Sequence, residues 1–203
     1  ARKSRGLGDV YKRQDITETQ VREIAVRELL IEKGILTADQ IRKQVEDWEQ
    51  KTPALGSKII AHAWCDNDFK KLLLEDGTKA VAQYDVKMGD LELKVIENTP
   101  EVHNVVVCTL CSCYPRPVLG IPPAWYKSFN YRRRLIREPR TVLKEFGTDI
   151  PEEIELRVHD STADLRYLVL PMRPDQTKNM TEKELASIVT RDSMIGVTTV
   201  RVE

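Results

Sequence analysis

The sequence predicts an α+β fold in which a helical N-terminal arm precedes a sheet-containing domain. Apolar residues recur at helical spacing behind capping residues in the first half of the chain, and from Leu91 onward they alternate at strand spacing. At 203 residues the chain is long enough to bury a substantial core. We expect a flexible or non-native basic arm over residues 1–14, a helical arm over residues 15–90 and an α/β domain over residues 91–203.

The arm is predicted to contain four helices. A Thr-x-x-Gln capping box opens the first helix at Thr17 and the second at Thr37. A third helix carries an apolar stretch over residues 59–64, and Asp66 caps a fourth that ends before Gly77. Cys65 is expected to be a buried packing thiol at a helix end. The charged faces of these helices are by default solvated, and the alternative interpretation is that the apolar stripes of the arm contact a second chain.

Strands are indicated where the apolar period changes to two. We expect strands over residues 91–96 and 105–107, then over 154–158 and 166–170, and a final strand from Gly196 to Val202. Short helices are predicted between Pro139 and Gly147 and, behind the capping box at Thr181, through residue 189.

Composition limits the classes of partner. The 32 basic and 32 acidic residues balance, which argues against a nucleic-acid or membrane-surface ligand. No apolar run reaches the length of a membrane span and no signal-peptide pattern is present. A cytoplasmic location is therefore expected, and it suits reduced thiols.

Three of the four cysteines lie within six residues, directly after a β-branched run. We call Cys108, Cys111 and Cys113 the cysteine claw. The Cys-x-x-Cys-x-Cys spacing is too tight for a disulfide network, and thiolates prefer soft or borderline transition metals. The direct interpretation is one metal ion held by three sulfurs, with an open position for catalysis.

Other interpretations of the claw stay open at this point. Structural zinc usually takes four ligands from two separated pairs, and an iron–sulfur cluster also needs a fourth cysteine. A non-catalytic metal-binding or redox-sensing protein is a further alternative. It predicts reversible thiol chemistry and no need for a partner subunit.

The residues around the claw form a sequence signature that is highly specific for one protein family. They resemble the metal-binding signature of the nitrile hydratase α subunit, in the string Val107-Cys108-Thr109-Leu110-Cys111-Ser112-Cys113. The resemblance extends from about Val21 to the C-terminal region and includes Glu97-Asn98-Thr99-Pro100, Pro122-Pro123-Ala124-Trp125-Tyr126 and Ser193-Met194-Ile195-Gly196-Val197. The γ subunit of thiocyanate hydrolase is a sister family with the same claw.

The resemblance implies the chemistry of the site. It implies one low-spin Co(III) per chain, or Fe(III), held by the sulfurs of Cys108, Cys111 and Cys113 and the backbone amides of Ser112 and Cys113. Cys111 and Cys113 would be oxidised to sulfinic and sulfenic acid, and these two residues with Ser112 would be catalytic. Thr109 matches the cobalt-type signature. The residues placed behind the metal site would be Thr109, Asp160, Asp164 and Arg166.

The resemblance also implies partners. A β subunit would complete an αβ or α2β2 assembly, an activator or metallochaperone protein would load the metal, and a small nitrile would be the substrate. We therefore interpret the chain as the metal-binding subunit of a nitrile hydratase that converts a nitrile to its amide.

One departure favours the sister family. Nitrile hydratases usually carry Trp at the position of Arg116, whereas the γ subunit of thiocyanate hydrolase carries Arg there, and the run Asn130-Tyr131-Arg132-Arg133-Arg134-Leu135 also resembles that subunit. An arginine in the substrate pocket suits an anion better than an alkyl nitrile. Hydrolysis of thiocyanate to carbonyl sulfide and ammonia is therefore the alternative function.

Overall fold

The computed structural model describes residues 17–111 and 113–202, so the expectations for residues 1–14 and for Ser112 lie outside the described residues. Contacts divide the chain into two compact units, Ala1–Glu46 and Asp47–Glu203. The expected division between residues 90 and 91 differs from this one, because three helices before residue 90 supply core residues to the second unit.

The N-terminal unit contains α1 (Glu18–Glu32) and the beginning of α2 (Ala38–Glu49). Both predicted capping boxes are present: the Thr17 hydroxyl accepts from the Gln20 backbone N–H, and the Thr37 hydroxyl accepts from that of Gln40. Gly34 follows α1 with a φ of 65°, a conformation that favours glycine. Neither helix contains a buried residue.

The second unit begins with helices that pack into a core. They are α3 (Ala54–Cys65), α4 (Asn67–Glu75) and α5 (Gly77–Ala82). Asp66 caps α4 as predicted, and Asp76 caps α5, which the sequence did not indicate. Ile59, Ile60 and Leu73 are fully buried in the core that these helices share with the strands.

Four strands form two parallel pairs. The strands are β1 (Glu92–Glu97), β2 (Val102–Val107), β3 (Glu155–Asp160) and β4 (Leu165–Leu170). β1 pairs with β4, and β2 pairs with β3 in a register that sets Val107 opposite Asp160. β2 is buried from His103 onward, which explains the apolar run over residues 105–107.

Short helices connect β2 to β3. They are α6 (Arg116–Leu119), α7 (Ala124–Lys127), α8 (Phe129–Leu135) and α9 (Pro139–Glu145), of which the sequence indicated only α9. Aromatic rings hold this segment together. Trp125 makes edge contacts with Tyr126, Tyr131 and Phe146 at centroid distances of 5.9, 4.9 and 4.8 Å.

The final strand predicted over residues 196–202 is wrong, because no described residue there pairs in a sheet. Before this segment, after a 3₁₀ turn (Asp175–Thr177), the chain forms α10 (Glu182–Ile188), which the capping box at Thr181 predicted, and α11 (Arg191–Ile195), which the sequence did not indicate. Gly196 ends α11 with a φ of 86° and packs against the backbone of Asn104. This left-handed turn docks the segment on β2 and interrupts extended structure.

The burial expected for Cys65 is also wrong. Cys65 is the last residue of α3, and its side chain is exposed because the core-facing positions of that helix are taken by other residues. Within the described ranges, no helix is long and apolar enough to cross a membrane.

Candidate metal centre

The cysteine claw begins where two parallel strands end. β2 ends at Val107 and β3 ends at Asp160, so the claw and Asp160 emerge at the same edge of this pair. The Ser161 backbone N–H donates to the Val107 carbonyl at 2.8 Å, which extends the pairing by one step. In open α/β sheets this edge is where ligand sites form.

The three claw sulfurs converge. The Sγ atoms of Cys108, Cys111 and Cys113 all lie within 4.8 Å of one another. The Sγ atom of Cys111 is 3.6 Å from that of Cys108 and 3.2 Å from that of Cys113. Cys108 is buried, whereas Cys111 is exposed, so the cluster opens outward. No disulfide joins the described cysteines.

The surroundings disfavour anionic sulfur unless a cation is present. Burial, together with hydrogen bonds to Cys111 and Cys108, raises the pKa of the Cys113 thiol to about 12, and Arg166 opposes the shift. Three adjacent thiolates would repel one another strongly, whereas one cation shared among them would remove that cost. The donor set therefore fits a single soft or borderline metal ion.

Thr109 and Asp160, two of the residues that the resemblance singles out, contact each other beside the claw. The backbone N–H of Thr109 donates to Asp160 Oδ1 at 2.9 Å, and the Thr109 hydroxyl donates to Oδ2 at 2.5 Å. These two bonds fix the first turn of the claw to the end of β3. A carboxylate in this arrangement is a positioning group for the loop.

Helices α7 and α8 hold the claw from the other side, which the sequence analysis did not predict. The Tyr126 hydroxyl donates to the Cys113 carbonyl at 2.8 Å, and Arg132 Nη1 donates to the Thr109 carbonyl at 3.3 Å. The Tyr131 hydroxyl donates to the Val106 carbonyl at 2.8 Å. The sequence signal that could have indicated these contacts is the Trp-Tyr dipeptide, followed by Tyr-Arg, shortly after the claw.

A cleft of about 550 Å³ opens beside Cys111 and Cys113, and both Arg116 and Arg166 line it. Arg116 is exposed at the start of α6. Arg166 Nη1 donates to the carbonyls of Thr162 and Ala163.

Asp164 contributes only a backbone interaction at this edge. Its carbonyl accepts from the Glu92 backbone N–H at 2.8 Å, and its side chain is exposed. The structure thus brings Thr109, Asp160, Arg116 and Arg166 to the claw, while the role expected for the Asp164 side chain stays a prediction.

Fold and site together define a metal-binding protein whose cysteine claw opens into a substrate-sized cleft. A family profile described as nitrile hydratase, alpha chain, matches residues 17–198. The chain therefore belongs to the nitrile hydratase α-chain family, a family of enzyme subunits.

Curated relatives from three organisms illustrate the range of this family. The chain is 50% identical over 182 residues to the low-molecular weight cobalt-containing nitrile hydratase subunit alpha of Rhodococcus rhodochrous, covering 89% of this chain and 88% of the relative. It is 50% identical over 185 residues to the cobalt-containing nitrile hydratase subunit alpha of Pseudonocardia thermophila, covering 89% and 90%. It is 45% identical over 196 residues to the thiocyanate hydrolase subunit gamma of Thiobacillus thioparus, covering 91% and 81%.

Solved structures of both enzyme types have the same fold. An arginine-to-tryptophan mutant of thiocyanate hydrolase superposes with a TM-score of 0.86 at 43% identity, covering 92% of each chain. A double mutant of the Fe-type nitrile hydratase from Comamonas testosteroni Ni1 gives a TM-score of 0.84 at 40% identity, covering 90% of each chain. Cobalt and iron enzymes thus both occur among the similar proteins.

Proposed function

We propose that this chain is the metal-binding catalytic subunit of a nitrile hydratase, which adds water to a nitrile to give the amide. The observation that carries the proposal is the convergence of three sulfurs within 4.8 Å beside an open cleft. Structural zinc is disfavoured because no fourth His, Cys, Asp or Glu of the described residues joins the cluster.

The claw would hold Co(III), with Fe(III) as the alternative ion. Cys108, Cys111 and Cys113 would supply sulfur, and the backbone amides of Ser112 and Cys113 would supply nitrogen. When bound, the ion would supply Lewis acidity toward the C≡N group or toward water. Cobalt is favoured by the two curated cobalt-containing relatives and by Thr109 between the first two cysteines.

The chain's own residues would position the claw and the substrate. Asp160 and Tyr126 restrain the loop at its two ends through the bonds to Thr109 and to the Cys113 carbonyl. Cys111 and Cys113, oxidised to the sulfinic and sulfenic forms, would face the cleft, and Ser112 between them would complete the catalytic set. Arg166 would balance negative charge at Cys113.

A β subunit is the expected partner, in an αβ or α2β2 assembly, and an activator or metallochaperone would load the metal. Exposed apolar side chains support this proposal. Leu110, within the claw itself, is 86% exposed, and Phe129 on the neighbouring α8 is 70% exposed. In the N-terminal unit, the apolar residues Val21, Val26, Leu29, Ile35 and Val45 are all about half exposed or more. Exposure on this scale marks surfaces that a partner covers.

Thiocyanate hydrolysis is the second candidate, and the position of Arg116 favours it. This guanidinium lines the same cleft as Cys111 and Cys113. A fixed cation there would be left desolvated by an alkyl nitrile but would pair with an anion.

Co-expression of the chain with its partner in cobalt medium, followed by parallel assays of a nitrile and thiocyanate, tests the two functions. In the reconstituted enzyme, Arg116→Trp should raise nitrile turnover relative to thiocyanate by at least about an order of magnitude, given roughly 2–5 kcal/mol for a desolvated charge contact. An unchanged ratio of nitrile to thiocyanate turnover, at unchanged metal content, would show that Arg116 does not contact the substrate. Conversion of neither compound would refute both functions.

A further inference from the structure

The cleft beside the claw is lined by cations and by no acidic residue of the described chain. The basic residues in its lining are Lys51, Lys87, Arg116 and Arg166. Arginine and lysine side chains on a protein surface usually find carboxylates nearby, but these four line one small cleft that has no acidic residue in its described lining. Such an arrangement focuses a positive potential on whatever enters.

None of these four cations forms an ion pair with a described carboxylate. The Lys51 ammonium instead lies over the Trp48 ring, 4.0 Å from its centroid, and Trp48 also lines the cleft. This contact holds the ammonium at the wall of the cleft while leaving its charge uncompensated. Lys87 is exposed in the same lining, directly before buried Met88.

Arg166 and the two lysines differ in their contacts. Arg166 Nη1 is already held by the carbonyls of Thr162 and Ala163, just after the end of β3. Lys51 and Lys87 belong to the segment that precedes β1, and no described contact ties their charges to a claw sulfur. Their charge is therefore available to a ligand in the cleft.

We propose that Lys51 and Lys87 determine substrate specificity by selecting small anions that carry a C≡N group over neutral nitriles. The shared chemistry is a negative charge adjoining a C≡N group, as in thiocyanate or in a nitrile bearing a carboxylate. This inference rests on the proposed function. It makes the charge of the substrate the property that determines which substrates the cleft binds.

Three substrates and four variants test the inference in the reconstituted holoenzyme. The substrates are thiocyanate, 3-cyanopropanoate and butyronitrile, and the variants are Lys51→Met, Lys87→Met, the double variant and Lys183→Met. Lys183 is an exposed lysine on α10 that does not line the cleft, so its variant removes the same charge elsewhere. The measurements are kcat/KM at low and high salt and anion binding by titration calorimetry.

Each cleft variant should lower kcat/KM for the anions by roughly three-fold or more, the scale expected for one unit charge a few ångströms away in a hydrated site. Butyronitrile kinetics and Lys183→Met should show no such change. Added salt should weaken anion turnover in the wild type and less so in the double variant. The anion whose kcat/KM falls more in the double variant is the one that the two lysines favour.

Anion kinetics that are equal in wild type and double variant would overturn the inference while leaving the proposed function intact. A wild type that binds the anions through the lysines but converts none of the three compounds would support the inference and refute the proposed function. Binding of butyronitrile that matches or exceeds that of both anions would also overturn it.

Discussion

The two compact units use the same sequence devices with different results. In both, threonine capping boxes start helices, as at Thr17 in α1 and Thr181 in α10. Helices α3, α4 and α10 each contain buried apolar residues, whereas α1 and α2 contain none. Local signals therefore determine where a helix forms, and tertiary packing determines whether it contributes stability. The N-terminal unit presents apolar surface that we assign to a partner chain.

Two glycines at equivalent helix ends give the largest expected difference between the units. A Cβ at Gly196 would lie 2.0 Å from the Asn104 carbonyl oxygen, whereas a Cβ at Gly34 would meet nothing within 4 Å. Gly34→Ala should cost only the left-handed strain of about 1–2 kcal/mol, while Gly196→Ala adds overpacking of about 1–3 kcal/mol or more.

Urea unfolding followed by tryptophan fluorescence checks this prediction, because Trp48, Trp64 and Trp125 all belong to the second unit. The midpoint should fall sharply for Gly196→Ala and stay near wild type for Gly34→Ala. Equal midpoints for the two variants would show that the docking of Gly196 on β2 is unimportant.

Leucines in the two units provide the second contrast. Leu73 on α4 is fully buried, and Leu29 on α1 is 49% exposed. Leu73→Ala should destabilise the second unit by about 2–5 kcal/mol, whereas Leu29→Ala should fall within about 0.5 kcal/mol in the chain alone. With the partner bound, Leu29→Ala should weaken assembly, which analytical ultracentrifugation measures. A large effect of Leu29→Ala in the isolated chain would contradict the division into units.

Acidification should destabilise the second unit selectively, because the described N-terminal unit contains no histidine. Burial lowers the pKa of His103, whose Nε2 donates to the Gly196 carbonyl at 2.8 Å. Burial also lowers the pKa of His159, with Arg157 and Lys94 adding to the effect, and its Nε2 donates to Asn104 Oδ1.

Both imidazoles stay neutral in the fold while the unfolded chain gains protons below about pH 6.5, so stability should fall as the pH decreases from 7. Urea midpoints at pH 7.5, 6.5 and 5.5 measure the slope. His103→Gln should make it shallower. A midpoint that rises on acidification would contradict the assignment of neutral histidines.

The smallest expected effect concerns the hydrogen bond by which α7 restrains the claw, within the second unit. Tyr126→Phe removes the donor to the Cys113 carbonyl and should cost about 0.5–1.5 kcal/mol. It should also speed alkylation of Cys111 by iodoacetamide in the metal-free chain, because the loop is less restrained. Tyr167→Phe is the control, since the Tyr167 hydroxyl has no hydrogen bond within the described chain. Equal alkylation rates in the two variants would show that the Tyr126 hydroxyl does not restrain the claw loop.

The sequence was most informative where the signal is local. The claw spacing and the capping residues at Thr17, Asp66 and Thr181 each depend on a few consecutive residues, and the structure confirms the helices they predicted. The final strand was wrong because Gly196 adopts a left-handed turn that depends on its contact with β2.

Long-range features were not accessible from the sequence. The parallel pairing of β2 with β3 decides that Asp160 meets Thr109, and only the fold brings Tyr126 and Lys87 to the claw and its cleft. These residues come from segments without any metal-site motif of their own. Their roles depend on three-dimensional proximity, which the hydrophobic pattern does not encode.

Metal analysis of cysteine variants tests the central claim most directly. The chain, co-expressed with its partner in medium containing cobalt, iron and zinc, should contain one cobalt per chain, with iron as the alternative. Cys108→Ser, Cys111→Ser and Cys113→Ser should each lose most of that metal, while Cys65→Ser, which changes the exposed thiol outside the claw, should retain it. Stoichiometric zinc, or cobalt retained in the three claw variants, would contradict the account.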